Sequence, residues 1–181
     1  MRHIPYIYKW NHQLSLIAVL FFTLGFTATD LNAMDTLTLD DLKSVDLEGT
    51  DFEGSMKEGQ IILVDFWAVW CGPCVKAFPV LNKLEKDFKK QNFQVISVAT
   101  YSGTVEDIRE TVNKFDLNYT ILVGDANLIE KFGVIGLPTY FLFDKNGLLY
   151  KKYVGEVDNF YDKISDDITA LQNLTEDSIA E

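Results

Sequence analysis

Histidine and cysteine are nearly missing from this chain, two of each in 181 residues. A zinc centre draws on four ligands, chiefly Cys and His. One Cys-x-x-Cys pair with no second pair falls short of that, so no metal site is expected. The same count excludes a framework of structural disulfides, which small secreted domains build from several bridges. Basic residues are scarce too: 16 Lys and Arg face 27 Asp and Glu, a net charge of −11. A surface of that sign repels phosphate backbones, which excludes nucleic acid as a partner. There is no P-loop and no GxGxxG, hence no sign of a nucleotide site, and no internal repeat. What is present, 48% hydrophobic and 24% charged residues, is the composition of a folded globule.

Residues 1–33 read as a leader and not as part of that globule. "MRHIPYIYKW" carries Arg2 and Lys9 and no acid, the run Leu14 to Ala28 has no charge, and "TDLNA" ends in the small residue Ala33. A positive start, an apolar middle and a small-residue exit are the order of a secretory signal. The alternative is a permanent membrane anchor. As a helix the apolar run reaches about 22 Å, short of the roughly 30 Å hydrocarbon core, although the uncharged stretch Asn11–Thr29 reaches further. Both readings place the rest of the chain outside the cytoplasm, in the periplasm or on the outer face of the inner membrane. Both also restrict membrane contact to residues 1–33. His3 and His12 lie in this segment, so the remainder contains no histidine. The expected division is an N-terminal extension with a candidate hairpin over 34–57, one domain over 58–174, and an acidic tail over 175–181.

Within the domain, "QIILVDFW" (Gln60 to Trp67) is apolar on both faces, the pattern of a central strand covered on two sides. "CGPCVKAFPVLNKLEKDF" places Val75, Phe78, Leu81, Leu84 and Phe88 at helical spacing, with Pro79 inside expected to bend the helix. "FQVISVAT" reads as a second buried strand. "TVEDIRETVNKF" reads as a helix whose Thr104 and Asp107 have capping-box spacing. A short strand Tyr119–Val123, a short helix closed by Gly133, a hairpin turning at Asn146-Gly147, and a last amphipathic helix through Phe160, Ile164, Ile168 and Leu171 complete the order. Alternating units predict an α/β fold, with parallel strands between helices on both faces and an antiparallel hairpin at the end.

The two cysteines, Cys71 and Cys74, sit where the central strand meets a helix. A bridge over so small a loop removes little chain entropy, so a purely structural staple is disfavoured. Copper(I) needs only two thiolates, and a copper carrier stays open as a minor reading. Placement favours redox exchange. Cys71 at a helix N-terminus has N–H groups and the helix dipole to stabilise a thiolate. Gly72 suits a tight turn and Pro73 the first helical turn. Cys71 attacks a partner's disulfide, and Cys74, one turn further in, then attacks the mixed disulfide. With no histidine to take the proton of Cys74, Asp65 is the candidate acceptor. It interrupts the apolar strand "ILVDFW", where burial raises a carboxyl pKa toward a useful range. The alternative is a satisfied polar residue. Pro138 precedes the buried strand "TYFLF", and a cis Leu137–Pro138 bond would account for it, as would an ordinary trans proline in a loop. A cis turn would leave backbone groups free for a peptide strand, with Trp70, Val69 and Leu137 as candidate groove residues and Tyr140 either a fourth or a packing aromatic, the packing reading being favoured.

Taken together, "LVDFWAVWCGPC", Pro79 and "GLPTYFLFDKNG" resemble the thioredoxin superfamily across residues 58–172. The resemblance implies a thioredoxin-like fold, with Cys71 the exposed nucleophile, Cys74 the resolving thiol and Asp65 the buried proton acceptor. It also implies a groove of Trp70, Gly72, Pro73, Leu137 and the cis Pro138. No cofactor is implied beyond the Cys71–Cys74 redox pair. The extra segment "TVEDIRETVNKFDLNYTILVG" is similar to the helix-strand insertion of the exported TlpA/ResA/DsbE branch, some of whose members serve cytochrome c maturation. Asp65 departs from that branch, which often has Asn there, and follows plain thioredoxin. The Gly-Pro dipeptide resembles the reducing members. The implied function is an exported protein disulfide reductase acting on extracytoplasmic proteins with disulfides and recharged by a membrane electron donor. The same chemistry run as oxidase or isomerase is the alternative. A peroxidase is disfavoured because no third cysteine exists to resolve it.

Overall fold

The computed structural model describes residues 37–53 and 59–173. The leader expected over 1–33 and the acidic tail over 175–181 lie outside the described residues. In chain order the elements are β1 (Lys43–Asp46), β2 (Asp51–Glu53), β3 (Ile61–Trp67), α1 (Gly72–Phe88), β4 (Phe93–Ala99), α2 (Val105–Lys114), β5 (Thr120–Val123), α3 (Ala126–Lys131), β6 (Thr139–Phe143), β7 (Leu149–Val154) and α4 (Phe160–Asn173). Short 3₁₀ turns stand at Leu39–Asp41 and Lys89–Gln91. Among the described residues seven strands make one sheet, ordered β2-β1-β5-β4-β3-β6-β7. Strands β3, β4 and β5 are parallel, and β6, β7 and β1 run antiparallel to their neighbours. β1 and β2 form a hairpin that adds to the edge at β5.

β3 is central because each of its residues is apolar except Asp65, and all of them are buried. Alternation divides the strand between two cores. Ile61, Leu63 and Trp67 face the larger core under α1, α2 and α4; Ile62, Val64 and Phe66 face the smaller one, with Leu128 of α3, Phe132 just after it, Leu39 of the first turn and Leu42 just after that. α1 seats on the larger face through Cys74, Phe78, Leu81 and Leu84, and the Phe78 ring meets Trp67 edge-on at 5.0 Å. Pro79 stands inside α1 on an exposed position. α2 begins at Thr104 with a reciprocal cap: Asp107 N–H donates to Thr104 Oγ1 at 3.2 Å and Thr104 N–H to Asp107 Oδ2 at 2.7 Å. This mixed sheet with helices on both faces is the thioredoxin-like architecture expected from the sequence, with α2 and β5 as the extra helix and strand.

The topology decides where a site forms. β3, β4 and β5 end at one edge, and the antiparallel β6 begins there. The start of α1, the loop after β4 and the turn before β6 therefore meet beyond the carboxyl ends of the parallel strands, the usual place for function in such sheets. Close packing continues into that edge. A Cβ on Gly124, just past β5, would come within 2.6 Å of Val98 Cγ1 and 2.9 Å of Thr100 Cγ2, both on buried residues. Gly124→Ala is expected to cost about 1–3 kcal/mol through overpacking. Chemical denaturation should show this as a lower midpoint at unchanged slope.

Candidate active site

Cys71 caps the N-terminus of α1. Its backbone is extended (φ −82°, ψ 97°), and its Sγ accepts the Cys74 N–H at 3.3 Å. Cys71 and Cys74 form a disulfide with Cα atoms 5.3 Å apart. A sulfur at this position is held by an unpaired N–H of the first helical turn, so a thiolate formed there gains a charge-assisted bond and the dipole of α1. Pro73 lies in the first turn, where no N–H is missed.

The strand-to-helix turn is held from the side by the loop after β4. Thr100 N–H and Oγ1 both donate to Trp67 O, at 2.8 and 3.1 Å. Val69 N–H donates to Ser102 Oγ at 3.1 Å, and Ser102 Oγ donates to Thr100 O at 3.0 Å. Trp70 Nε1 donates to Tyr101 O at 2.8 Å while its ring stays 66% exposed. Tyr101 sits at φ +49°, a conformation that disfavours bulky side chains, and is itself exposed. On the other side of the turn, Leu137–Pro138 is a cis peptide. Thr139 Oγ1 donates to Gly136 O, and Gly155 N–H donates to Pro138 O. Among the described residues the backbone N–H and C=O of Leu137 have no hydrogen-bond partner. Free main-chain groups of this kind can pair with an added strand.

Asp65 lies on the face of β3 that looks toward α1, and is 1% exposed. Ser97, its register partner on β4, donates Oγ–H to Asp65 Oδ2 at 2.8 Å, and Tyr140 of β6 is its partner on the other side. Desolvation disfavours the carboxylate and outweighs the Ser97 hydroxyl, raising the carboxyl pKa to about 7. A group so placed can hold or release a proton near neutral pH. Among the described residues there is no cluster of three or more His, Cys, Asp or Glu suited to a metal ion.

Residues 31–152 match the AhpC/TSA family. The chain belongs to that family. It is 31% identical over 100 residues to the thiol-disulfide oxidoreductase ResA of Bacillus thuringiensis, an alignment covering 55% of this chain and 57% of ResA, so it spans little more than half of that relative. Among solved structures it is similar to a Chlorobium tepidum protein assigned as the thiol:disulfide interchange protein DsbE. The TM-score there is 0.69 at 27% identity, over 76% of this chain and 97% of that one. The dsbF structure of MTB gives 0.65 at 26% identity, over 75% and 98%. These neighbours share the fold of this chain.

Two expectations need correction. Cys71, expected to be exposed, is only 4% exposed in this disulfide-bonded form, because its Sγ turns back against α1 while Gly72 and Pro73 take the solvent positions. Gly72 is not required by the turn. Cys71 makes the turn with an extended backbone, and a Cβ on Gly72 would touch nothing within 4 Å. Tyr140 is the packing aromatic that the sequence favoured over a groove residue: it is 2% exposed and its ring lies 4.4 Å from that of Phe160. Sequence reasoning missed Tyr101 and Ser102. "TYSG" announces a turn, but nothing local says that its hydroxyl and carbonyl hold a loop some thirty residues earlier, at separations of 31 and 33.

The buried carboxyl makes stability depend on pH. The folded value of Asp65 lies above the ordinary 3.8. Below about pH 4 it is neutral in both states; as pH rises toward 7 the unfolded chain ionises first and stability falls. Asp65→Asn is therefore expected to be more stable than the wild type at pH 8, by up to about 4 kcal/mol. The gap should close as pH falls to 4. Denaturation midpoints measured across that range check both the sign and the closure.

Proposed function

We propose that the protein is an exported thiol–disulfide oxidoreductase that reduces disulfides in extracytoplasmic proteins. The observation that carries this reading is the Cys71–Cys74 disulfide capping α1, on the same core face as a buried Asp65. In the reduced protein Cys71 attacks a partner disulfide as thiolate. One partner sulfur leaves as a thiol and the other stays bonded to Cys71 Sγ. Cys74 then gives its proton to Asp65 and attacks Cys71 Sγ, releasing the second partner thiol. Two electrons pass to the partner, and the enzyme is left with the Cys71–Cys74 bond. An added strand from the partner pairs with Leu137 beside Pro138, and the exposed Trp70 ring covers it. Trp70, Gly72, Pro73, Leu137 and Pro138 line that approach. Reduction outside the cytoplasm has to be renewed, so a membrane electron donor returns the pair to the dithiol. A leader or anchor in residues 1–33 delivers the domain there, with cytochrome c maturation one setting for such a reductase.

The reading is tested by equilibrating residues 34–181 against a glutathione series, with Cys71→Ser as control. A reductase requires a potential well below that of the glutathione couple. A potential well above it would establish an oxidase or isomerase instead, and the absence of any reversible couple would point to the copper(I) carrier. The proton role has its own test. In the wild type, attack by Cys74 on the mixed disulfide should accelerate as pH rises through about 7, where Asp65 becomes able to accept. Asp65→Asn should slow that step by about a hundredfold or more at neutral pH, read by stopped-flow release of a chromophoric thiol.

A further inference from the structure

Two polar residues break two neighbouring buried strands at the same rung of the sheet. Asp65 interrupts "IILVDFW" of β3, and Ser97 interrupts "FQVISVA" of β4. The parallel register sets them side by side. Tyr140 of β6 lies beyond Asp65 on that rung, and Ile121 of β5 beyond Ser97. Residues two apart on a strand share a face, so Ser97 points with Val95 and Ala99 into the larger core. It is fully buried there, and Asp65 is 1% exposed. A hydroxyl enclosed in this way is costly unless it is bonded. Its bond goes to Asp65: Ser97 Oγ donates to Oδ2 at 2.8 Å. Among the described residues Oδ1 accepts no hydrogen bond.

We propose that Ser97 is a positioning residue for the proton step: its hydroxyl holds Asp65 Oδ2 and tempers the carboxyl's hold on a proton, leaving Oδ1 to receive the proton of Cys74. This rests on Asp65 being the acceptor for Cys74. The proton moves from Cys74 Sγ to Asp65 Oδ1, while the Ser97 O–H stays on Oδ2. The Ser97 bond is stronger to a carboxylate than to a carboxylic acid, so it favours the form able to accept. Burial acts the other way and is the larger influence. Without Ser97, burial would act unopposed, and Asp65 would stay protonated to higher pH. The other groups around Asp65 do not replace this bond. Tyr140 from β6 and Tyr119 just before β5 are kept neutral by burial. Glu85 of α1 is bonded to the Val95 N–H, and Glu156, after β7, is exposed and paired with Lys76. Helices α2 and α4 present apolar side chains to this core. A purely structural alternative has Ser97 serving only as a small side chain that fits beside Asp65, in which case alanine would do as well.

The test compares Ser97→Ala and Ser97→Thr with the wild type in two titrations. In the disulfide form, NMR of the Asp65 carboxyl carbon should show the alanine midpoint raised by about one pH unit, a tenfold gain in proton affinity. In the reduced full chain, stopped-flow reaction with dithiobis(nitrobenzoate) gives two phases, attack by Cys71 and then attack by Cys74 on the mixed disulfide. Alanine should leave the first phase unchanged and raise the pH midpoint of the second by the same amount. At pH 7 the second phase should slow about fivefold, and it should recover by about pH 9. Threonine keeps the hydroxyl and should restore both midpoints. An Asp65 midpoint unmoved by alanine overturns the proposal and leaves the acceptor reading intact. A threonine variant that folds natively yet keeps the alanine midpoint also overturns it, because something other than the hydroxyl is then at work. If the carboxyl midpoint moves and the kinetic one does not, Asp65 is not the acceptor, and that reading falls together with this one. Alanine fits within the space serine fills, so it carries the test even where threonine packs poorly.

Discussion

One carboxyl group placed where water cannot reach it organises this domain. Asp65 interrupts a strand buried on both faces, and among the described residues its carboxyl accepts one hydrogen bond, from the Ser97 hydroxyl. Ionising it there is unfavourable, and that is the source of its affinity for a proton near neutral pH. The surrounding architecture has to keep it dry. Strands β4 and β6 flank it, and it faces the core that α1 fills with Phe78, Leu81 and Leu84. The same helix presents Cys71 at its N-terminus and Cys74 one turn inside. The helix that desolvates the carboxyl therefore also aims the sulfurs, and the two functions cannot be moved independently.

The second constraint is that the turn bearing the cysteines stays put. A strand-to-helix turn left to itself would sample many conformations. Here Thr100, Tyr101 and Ser102 hold Trp67, Val69 and Trp70 through backbone and side-chain hydrogen bonds. The cis Leu137–Pro138 turn borders the site from the β6 side, with Leu137 packed against both cores. Bonds to Thr139 and Pro138 fix that turn and leave the Leu137 backbone open. Rigid flanks with one unpaired backbone segment suit a surface that must accept an extended chain without rearranging.

Much of this was legible in the sequence because it is written in local pattern. The both-face apolar run of β3, the helical spacing of α1 and the Asn146-Gly147 turn each express a period or a turn chemistry. Asp65 stood out because a charge inside such a run breaks the pattern. What stayed hidden depends on contacts between segments distant in sequence. "KLEKDF" makes Glu85 look like any surface acid, yet folding turns it under the sheet to Val95. Tyr119 reads as an ordinary strand aromatic until its hydroxyl is seen to be enclosed. The burial of Cys71 follows from its capping geometry, which the motif alone does not specify. The freedom of Gly72 follows from empty space above it, which no sequence pattern encodes.

The central claim is that Asp65 remains a proton-bearing group near neutral pH because it is buried. Direct titration of its side-chain carboxyl carbon by NMR, with Asp65→Asn for assignment, tests this without relying on activity. The account predicts a midpoint near 7 in the disulfide form. A midpoint near the ordinary aspartate value of about 4 would contradict it, and would show that the carboxyl is solvated or paired in a way this structure excludes.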